Sequence, residues 1–160
     1  MLKYLLCLVI LVASVYVSRE YIKGRKSSLE LVRAHLALLE HLLSRMSLSI
    51  APVSSFLTEY DSVLLEKLGF LGALREGASP YEAFMRFGGE IADTESHALL
   101  SRLYLCFGEG EYTQELSRLE ECTRALSSRV SVLCEEHEKH AKVVTTLTVG
   151  ASVGIIILLL

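Results

Sequence analysis

The sequence predicts an all-α protein, a helical bundle bracketed by two apolar helices. Only two prolines, Pro52 and Pro80, interrupt 160 residues, and no stretch alternates apolar and polar residues as a half-buried strand would. Apolar side chains instead recur every three or four residues through both halves of the chain, the period of an α-helix with one buried face. Both ends are apolar as well: 4–17 carries no charge, and no charged residue follows Lys142.

The elements follow in order. The apolar run 4–17 is short for a membrane span, but Lys3 can snorkel, so a helix over 1–22 is long enough to cross. Small residues suited to leader cleavage fit poorly around Ser18, and a retained span is expected there rather than a cleaved leader. A first bundle helix is expected to open at Ser27, with Glu30 three residues on as a capping box. Leu29, Val32, Leu36, Leu39, Leu43, Met46 and Ile50 then step by three and four, and Leu31, Leu38 and Leu42 widen the stripe beyond a coiled-coil seam. Pro52 ends it. Short helices over 53–60 and 62–68 follow, the second capped by Asp61. Gly69 and Gly72 interrupt the chain, and Gly77 closes a further helix end. Ser79, Pro80 and Glu82 place an N-cap, a first-turn proline and a third-position glutamate, and that helix is expected to stop at Gly88 and Gly89. Another helix is expected over 94–107.

From about Tyr112 no breaker occurs. Leu116, Leu119, Thr123, Leu126, Val130, Leu133, His137, His140, Val144 and Leu147 continue the helical step. One helix of nearly fifty residues, roughly 70 Å, can run from the domain into the bilayer without interruption. Its last part, 143–160, spans roughly 27 Å, close to the hydrocarbon thickness. The expected organisation is thus an N-terminal transmembrane helix over 1–22, a helical bundle over 27–141 and a C-terminal transmembrane helix over 143–160.

Charge and cysteine usage place the bundle. The formal net charge is −3, and the one basic run is Lys23, Arg25 and Lys26 beside the first span, which argues against nucleic acid as a partner. Arg19 and those three residues flank the first span on the domain side, and Lys139 and Lys142 flank the second. By the positive-inside rule the domain is cytoplasmic. Cys7 lies in the first span; Cys106, Cys122 and Cys134 are scattered with no metal or redox spacing, as free thiols in a reducing compartment would be.

No motif of an enzyme occurs: there is no GxSxG, no Walker loop and no HExxH, and no catalytic, cofactor or metal residue is assigned. His137 and His140 sit three apart on one helix, but no third or fourth metal ligand accompanies them. The separate histidines His35, His41 and His97 are expected to be surface or satisfied core residues. Glu109, Glu111, Glu115, Glu120 and Glu121 lack a nucleophile or a phosphate loop beside them, and read as a solvated or partner-facing surface, together with the turn at Ser79 and Glu82. Gly150 and Gly154 form a GxxxG pair in the second span. It serves either dimerisation or packing against the chain's own first span.

The layout of an opening Met1-Leu2-Lys3 span, a leucine-rich helix closing at Pro52, a Leu103-to-Gly108 helix end leading into a long final helix, and an Ile/Leu tail after Gly150 and Gly154 resembles the stage III sporulation protein AB family. The segment from Leu74 through Gly77, Ser79 and Glu82 to Phe84 is also similar to a turn in the inner-membrane platform proteins of type II secretion and type IV pilus systems. The family's polar, Asp- and Gln-containing turn is replaced here by Gly108 to Gln114, with only Gln114 in common. The resemblance implies a non-catalytic platform subunit of the secretion-like channel between mother cell and forespore. It also implies an inner-membrane location with the domain on the mother-cell side, and as partners other membrane subunits of the channel, a cytoplasmic secretion-type ATPase, membrane lipid and further copies of the chain. A stand-alone membrane-anchored regulatory or signalling module is the alternative.

Overall fold

In the computed structural model, residues 2–49, 53–108 and 110–159 are described, and among them every regular element is a helix. In chain order these are α1 (Leu2–Leu48), α2 (Val53–Glu59), α3 (Val63–Lys67), α4 (Phe70–Arg75), α5 (Pro80–Phe87), α6 (Thr94–Leu105) and α7 (Tyr112–Leu159). The all-α class predicted from periodicity holds. Pro52 and Glu109 lie outside the described residues, as do the side chains of Lys3 and Cys7. The chain forms two compact units: Ser28–Ser131 is one, and Met1–Ser27 together with Val132–Leu160 is the other.

The expected helix start at Ser27 is not there. α1 is continuous through it, from Leu2 to Leu48, since no proline breaks the chain there. Ser28 Oγ accepts a hydrogen bond from Ala92 N at 2.9 Å, so it ties α1 to the loop before α6 and does not cap a helix. Gly24 lies inside α1, at a cost of about 1 kcal/mol relative to alanine, too little to break a helix supported on both sides.

In the Ser28–Ser131 unit the predicted stripe of α1 is the buried face. Leu29, Leu31, Val32, Leu38, Leu39, Leu42 and Met46 are all core residues, joined by His35, while Leu36 and Leu43 are half-buried at its edge. Buried in the same unit are Phe56 and Leu57 of α2, Leu65 of α3, Phe70, Leu71 and Leu74 of α4, Phe84 of α5, Leu100 and Tyr104 of α6, and Leu119, Leu126 and Val130 of α7; of these, Phe70, Phe84 and Tyr104 meet His35 of α1 directly. The C-terminal end of α1 leaves carbonyls without intrahelical donors. Tyr112 supplies one, its hydroxyl donating to Met46 O and to Ser49 O.

The short helices are set by their caps. α3 starts after Ser62, whose side chain makes no cap bond, rather than after Asp61. α4 contains Gly72, expected as a break, and closes in a Schellman motif: Ala78 N donates to Ala73 O at 3.0 Å and Gly77 N to Leu74 O at 3.1 Å, with Gly77 at φ 93°. The signal at Ser79 holds, since its Oγ accepts from Glu82 N at 3.2 Å behind Pro80 at the first helical position. α6 is capped by Asp93 and ends at Leu105, two residues before the expected Phe107. α7 begins at Tyr112 as its pattern predicted.

In the unit formed by Met1–Ser27 and Val132–Leu160, α1 and α7 supply the chain's two apolar ends. Among the described residues no helix is long and apolar enough to cross a membrane. The stretches expected as spans over 1–22 and 143–160 are present as the ends of α1 and α7, with the side chains of 1–8 and 158–160 among those outside the described residues.

Candidate functional site

The centre of the bundle is polar. His35 is fully buried, yet both its ring nitrogens are engaged: Nε2 lies 3.3 Å from Gly88 O and Nδ1 lies 3.0 Å from the Tyr104 hydroxyl. A carbonyl can only accept, so Nε2 carries the proton. In the neutral ring Nδ1 then accepts, and Tyr104 donates. The ring is enclosed by Phe70, Phe84 and Tyr104, with centroids 5.2, 5.4 and 5.9 Å away, each meeting it edge-on. Burial pulls His35 down from 6.5 to about 4, against the opposing hydrogen bond to Gly88. Burial likewise pushes the Tyr104 phenol up. Both groups are therefore neutral at pH 7.

Two glycines make that geometry possible. Gly88 brings its carbonyl under His35, and Gly89 turns the chain at φ 81°. A Cβ on Gly89 would stand 2.4 Å from Leu31 Cδ2 in the core. The motif expected only to stop α5 thus also presents the acceptor for the buried imidazole. With His35 at 0 % and Tyr104 at 1 % exposure, no solute reaches either ring. The pair orders the core and has no access to a substrate.

A second polar node joins α6 to α7. Asp93 accepts from Ser96 N at 2.9 Å and from Ser96 Oγ at 2.7 Å, capping α6. It also receives a two-pronged contact from Arg129, at 3.1 Å from Nε and 2.6 Å from Nη2. Glu95 adds a carboxylate 3.2 Å from the same guanidinium. Arg129 beside Asp93, reinforced by the serine bonds, holds the carboxyl far below its usual range. This is a part-buried, bidentate pair of the strong kind.

The predicted partner-facing residues are dispersed among local duties. Ser79 and Glu82 form the α5 cap. Glu115 turns back to accept from Gly108 N at 2.6 Å, closing the turn between α6 and α7. Glu120 pairs with Arg124 at 3.0 Å on the solvent side of α7. The Glu111 carbonyl accepts from Gln114 N and Glu115 N and so opens α7. Glu121 lines a cleft between α6 and α7. Glu109 lies outside the described residues. A Cβ on Gly150 or Gly154 would meet nothing within 4 Å, so among the described residues neither glycine is pressed against the chain's own helices. His137 is half-buried and His140 exposed, and among the described residues no group of three metal-ligand side chains forms.

The sequence pointed to neither polar node. His35 falls on the apolar stripe at position i+3 from Val32, and that placement was the available signal of burial. Its partners lie 53 and 69 residues away, beyond any local pattern. A helix from 94 was expected, but neither Asp93 as its cap nor Arg129 as the partner of Asp93 was read from the sequence. Cys122 is buried and its thiol is pushed up to about 11 by burial and, secondarily, by Glu121. Cys106 and Cys134 are half-buried, and none of the three is in a disulfide. No model of a protein family, no curated protein and no solved structure matches the chain.

Proposed function

We propose that the chain is a non-catalytic, membrane-anchored scaffold, whose apolar ends lie in the bilayer while the helical bundle meets other proteins on the cytoplasmic side. The observation that carries this reading is the unit made of the chain's two ends. There Val12, Tyr16, Val17, Leu147 and Ile157 stand open, with Val17 and Leu147 both 67 % exposed. Apolar side chains that open are unfavourable in water and favourable against lipid. The basic residues Arg19, Lys23, Arg25, Lys26, Lys139 and Lys142 flank the apolar stretches on the bundle side, as the positive-inside rule requires of a cytoplasmic domain.

The resemblance to the stage III sporulation protein AB family takes the reading further. On it, the scaffold is a platform subunit of the channel between mother cell and forespore, bound to other membrane subunits and a cytoplasmic secretion-type ATPase. A bundle organised around a sealed His35–Tyr104 pair suits a part that transmits or resists force rather than one that performs chemistry.

In-cell crosslinking of a tagged copy, followed by identification of the proteins recovered from solubilised membranes, tests it. Recovery of a secretion-type ATPase with further membrane subunits is the expected result. Recovery of a single soluble regulator would replace the platform by the regulatory module. A tagged chain found wholly in the aqueous fraction would overturn the membrane reading itself.

A further inference from the structure

A cleft of about 370 Å³ opens between α6 and α7 in the Ser28–Ser131 unit. Its walls are two matched helical stripes. Leu99, Arg102 and Leu103 lie at i, i+3 and i+4 on α6, and Arg118, Cys122 and Ala125 lie at i, i+4 and i+7 on α7. Leu103 and Cys122 are buried and form the floor, while Arg102, Arg118 and Glu121 are exposed at the rim. Such stripes normally mark a helix face turned toward another helix; here they touch where Cys122 Sγ donates to Leu99 O at 3.8 Å, and the cleft opens beside that contact.

The rim charges are unused. Arg75, Arg124 and Arg129 each hold a carboxylate, but among the described residues Arg102, Arg118 and Glu121 make no ion pair. The nearest acid N-terminal to Arg118 is spent elsewhere, because Glu115 accepts from Gly108 N. Glu121, three residues after Arg118, sits in the less favourable orientation for an intrahelical pair. An apolar floor two helical turns long, edged by two guanidiniums and one carboxylate, complements one kind of surface. That surface is an apolar ridge on a helix with acidic residues beside it. A small free anion fits less well, since Glu121 offsets part of the attraction and would itself stay without a donor.

We propose that this cleft docks an amphipathic helix of a partner protein. Two turns of that helix set their apolar side chains between α6 and α7, direct carboxylates at Arg102 and Arg118, and offer a cationic or amide donor to Glu121. The mode is helix-in-groove recognition, with anchors at i, i+3 or i+4 and i+7. It stands on the cleft alone, so failure of the scaffold reading, judged from topology and complex recovery, leaves it in place, and the reverse holds too.

The probe is a display library of helical 18-residue peptides with randomised surfaces, selected against the purified full chain in nanodiscs, with empty nanodiscs as the counter-selection. Selected peptides are expected to carry an apolar ridge flanked by Asp or Glu. Their Kd for Arg102→Glu and for Arg118→Glu should rise at least about tenfold, the loss of one charge-assisted contact. Arg124→Glu, an exposed arginine outside the cleft, should leave Kd unchanged. Replacing the peptide's flanking acids by lysine should restore binding to the Arg102→Glu/Arg118→Glu double variant. Three results would each overturn the proposal: no sequence enriched over empty nanodiscs, equal binding by wild type and the Arg102→Glu/Arg118→Glu double variant, or displacement of the peptide by decanoate at comparable concentration, which would make the cleft a small-amphiphile site. A change of particle size in the double variant without added peptide would assign the cleft to a second copy of the chain and overturn it equally.

Discussion

Replacing His35 by leucine removes the imidazole from the centre of the bundle while keeping apolar volume in its place. Two groups then lose their partners inside the core: the Tyr104 hydroxyl, 3.0 Å from Nδ1, and the Gly88 carbonyl, 3.3 Å from Nε2. An orphaned buried polar group costs about 1–3 kcal/mol, so with two of them His35→Leu should lose about 2–6 kcal/mol. Tyr104→Phe leaves only Nδ1 without a donor and should lose about 1–2 kcal/mol. The double variant should be less destabilised than the two losses together, because it leaves one orphan, the Gly88 carbonyl, against three summed over the single variants. Urea unfolding of the full chain in detergent, followed by circular dichroism, reads all three.

The same histidine sets a pH signature. Its folded pKa, about 4, lies below its unfolded value of 6.5. Above pH 6.5 the stabilisation is fully present. As the pH falls the unfolded chain binds a proton that the folded chain refuses, and the stabilisation is lost until about pH 4. The difference in pKa corresponds to about 3 kcal/mol across that window. In His35→Leu the slope between pH 6.5 and 4 should be correspondingly flatter. Additive losses in the double variant, or a His35→Leu chain within about 0.5 kcal/mol of wild type, would refute the assignment of His35 as the organising polar group.

Other variants probe other joints. Asp93→Ala removes both the α6 cap and the Arg129 contact and should destabilise by about 2–4 kcal/mol in the same urea assay. Because the Asp93 pKa is depressed, its contribution is present at neutral pH and fades as the pH drops below the unfolded carboxylate value of 3.8, so the Asp93→Ala deficit should shrink in strong acid. Gly89→Ala combines a φ of 81° with a 2.4 Å approach to Leu31 Cδ2 and should lose about 1–3 kcal/mol, measured as a lowered urea midpoint. At pH 8 a maleimide should label Cys106 and Cys134 well before Cys122, whose buried thiol is pushed up to about 11; labelling of Cys122 first, by mass spectrometry, would contradict its burial. Gly154→Leu should reduce assembly in membranes if the glycine pair meets another helix, and unchanged particle size with unchanged complex recovery would exclude that contact.

What the sequence determined by itself is the part of the structure governed by neighbours along the chain. The helical period marked the buried face of α1 from Leu29 to Met46 and the unbroken course of α7 from Tyr112. Ser79, Pro80 and Glu82 located the start of α5, because a cap, a fixed φ and a first-turn acid all act within four residues. Local rules misled where the surrounding helix or core outweighed them. Ser27 and Glu30 looked like a helix start, but the neighbouring Ser28 hydroxyl is taken by Ala92 N, and nothing ends the helix there. Gly72 looked like a break, yet Phe70, Leu71 and Leu74 bury their side chains around it and hold it in α4. Only the tertiary structure decided that His35, one polar residue on an apolar stripe, would sit at the centre of the bundle. Its acceptor and donor come from Gly88 and Tyr104, on segments brought together by the packing of α5 and α6 against α1. The pairing of Asp93 with Arg129 and the open cleft between α6 and α7 were decided the same way, since each depends on which helices become neighbours and no pattern within one helix encodes that.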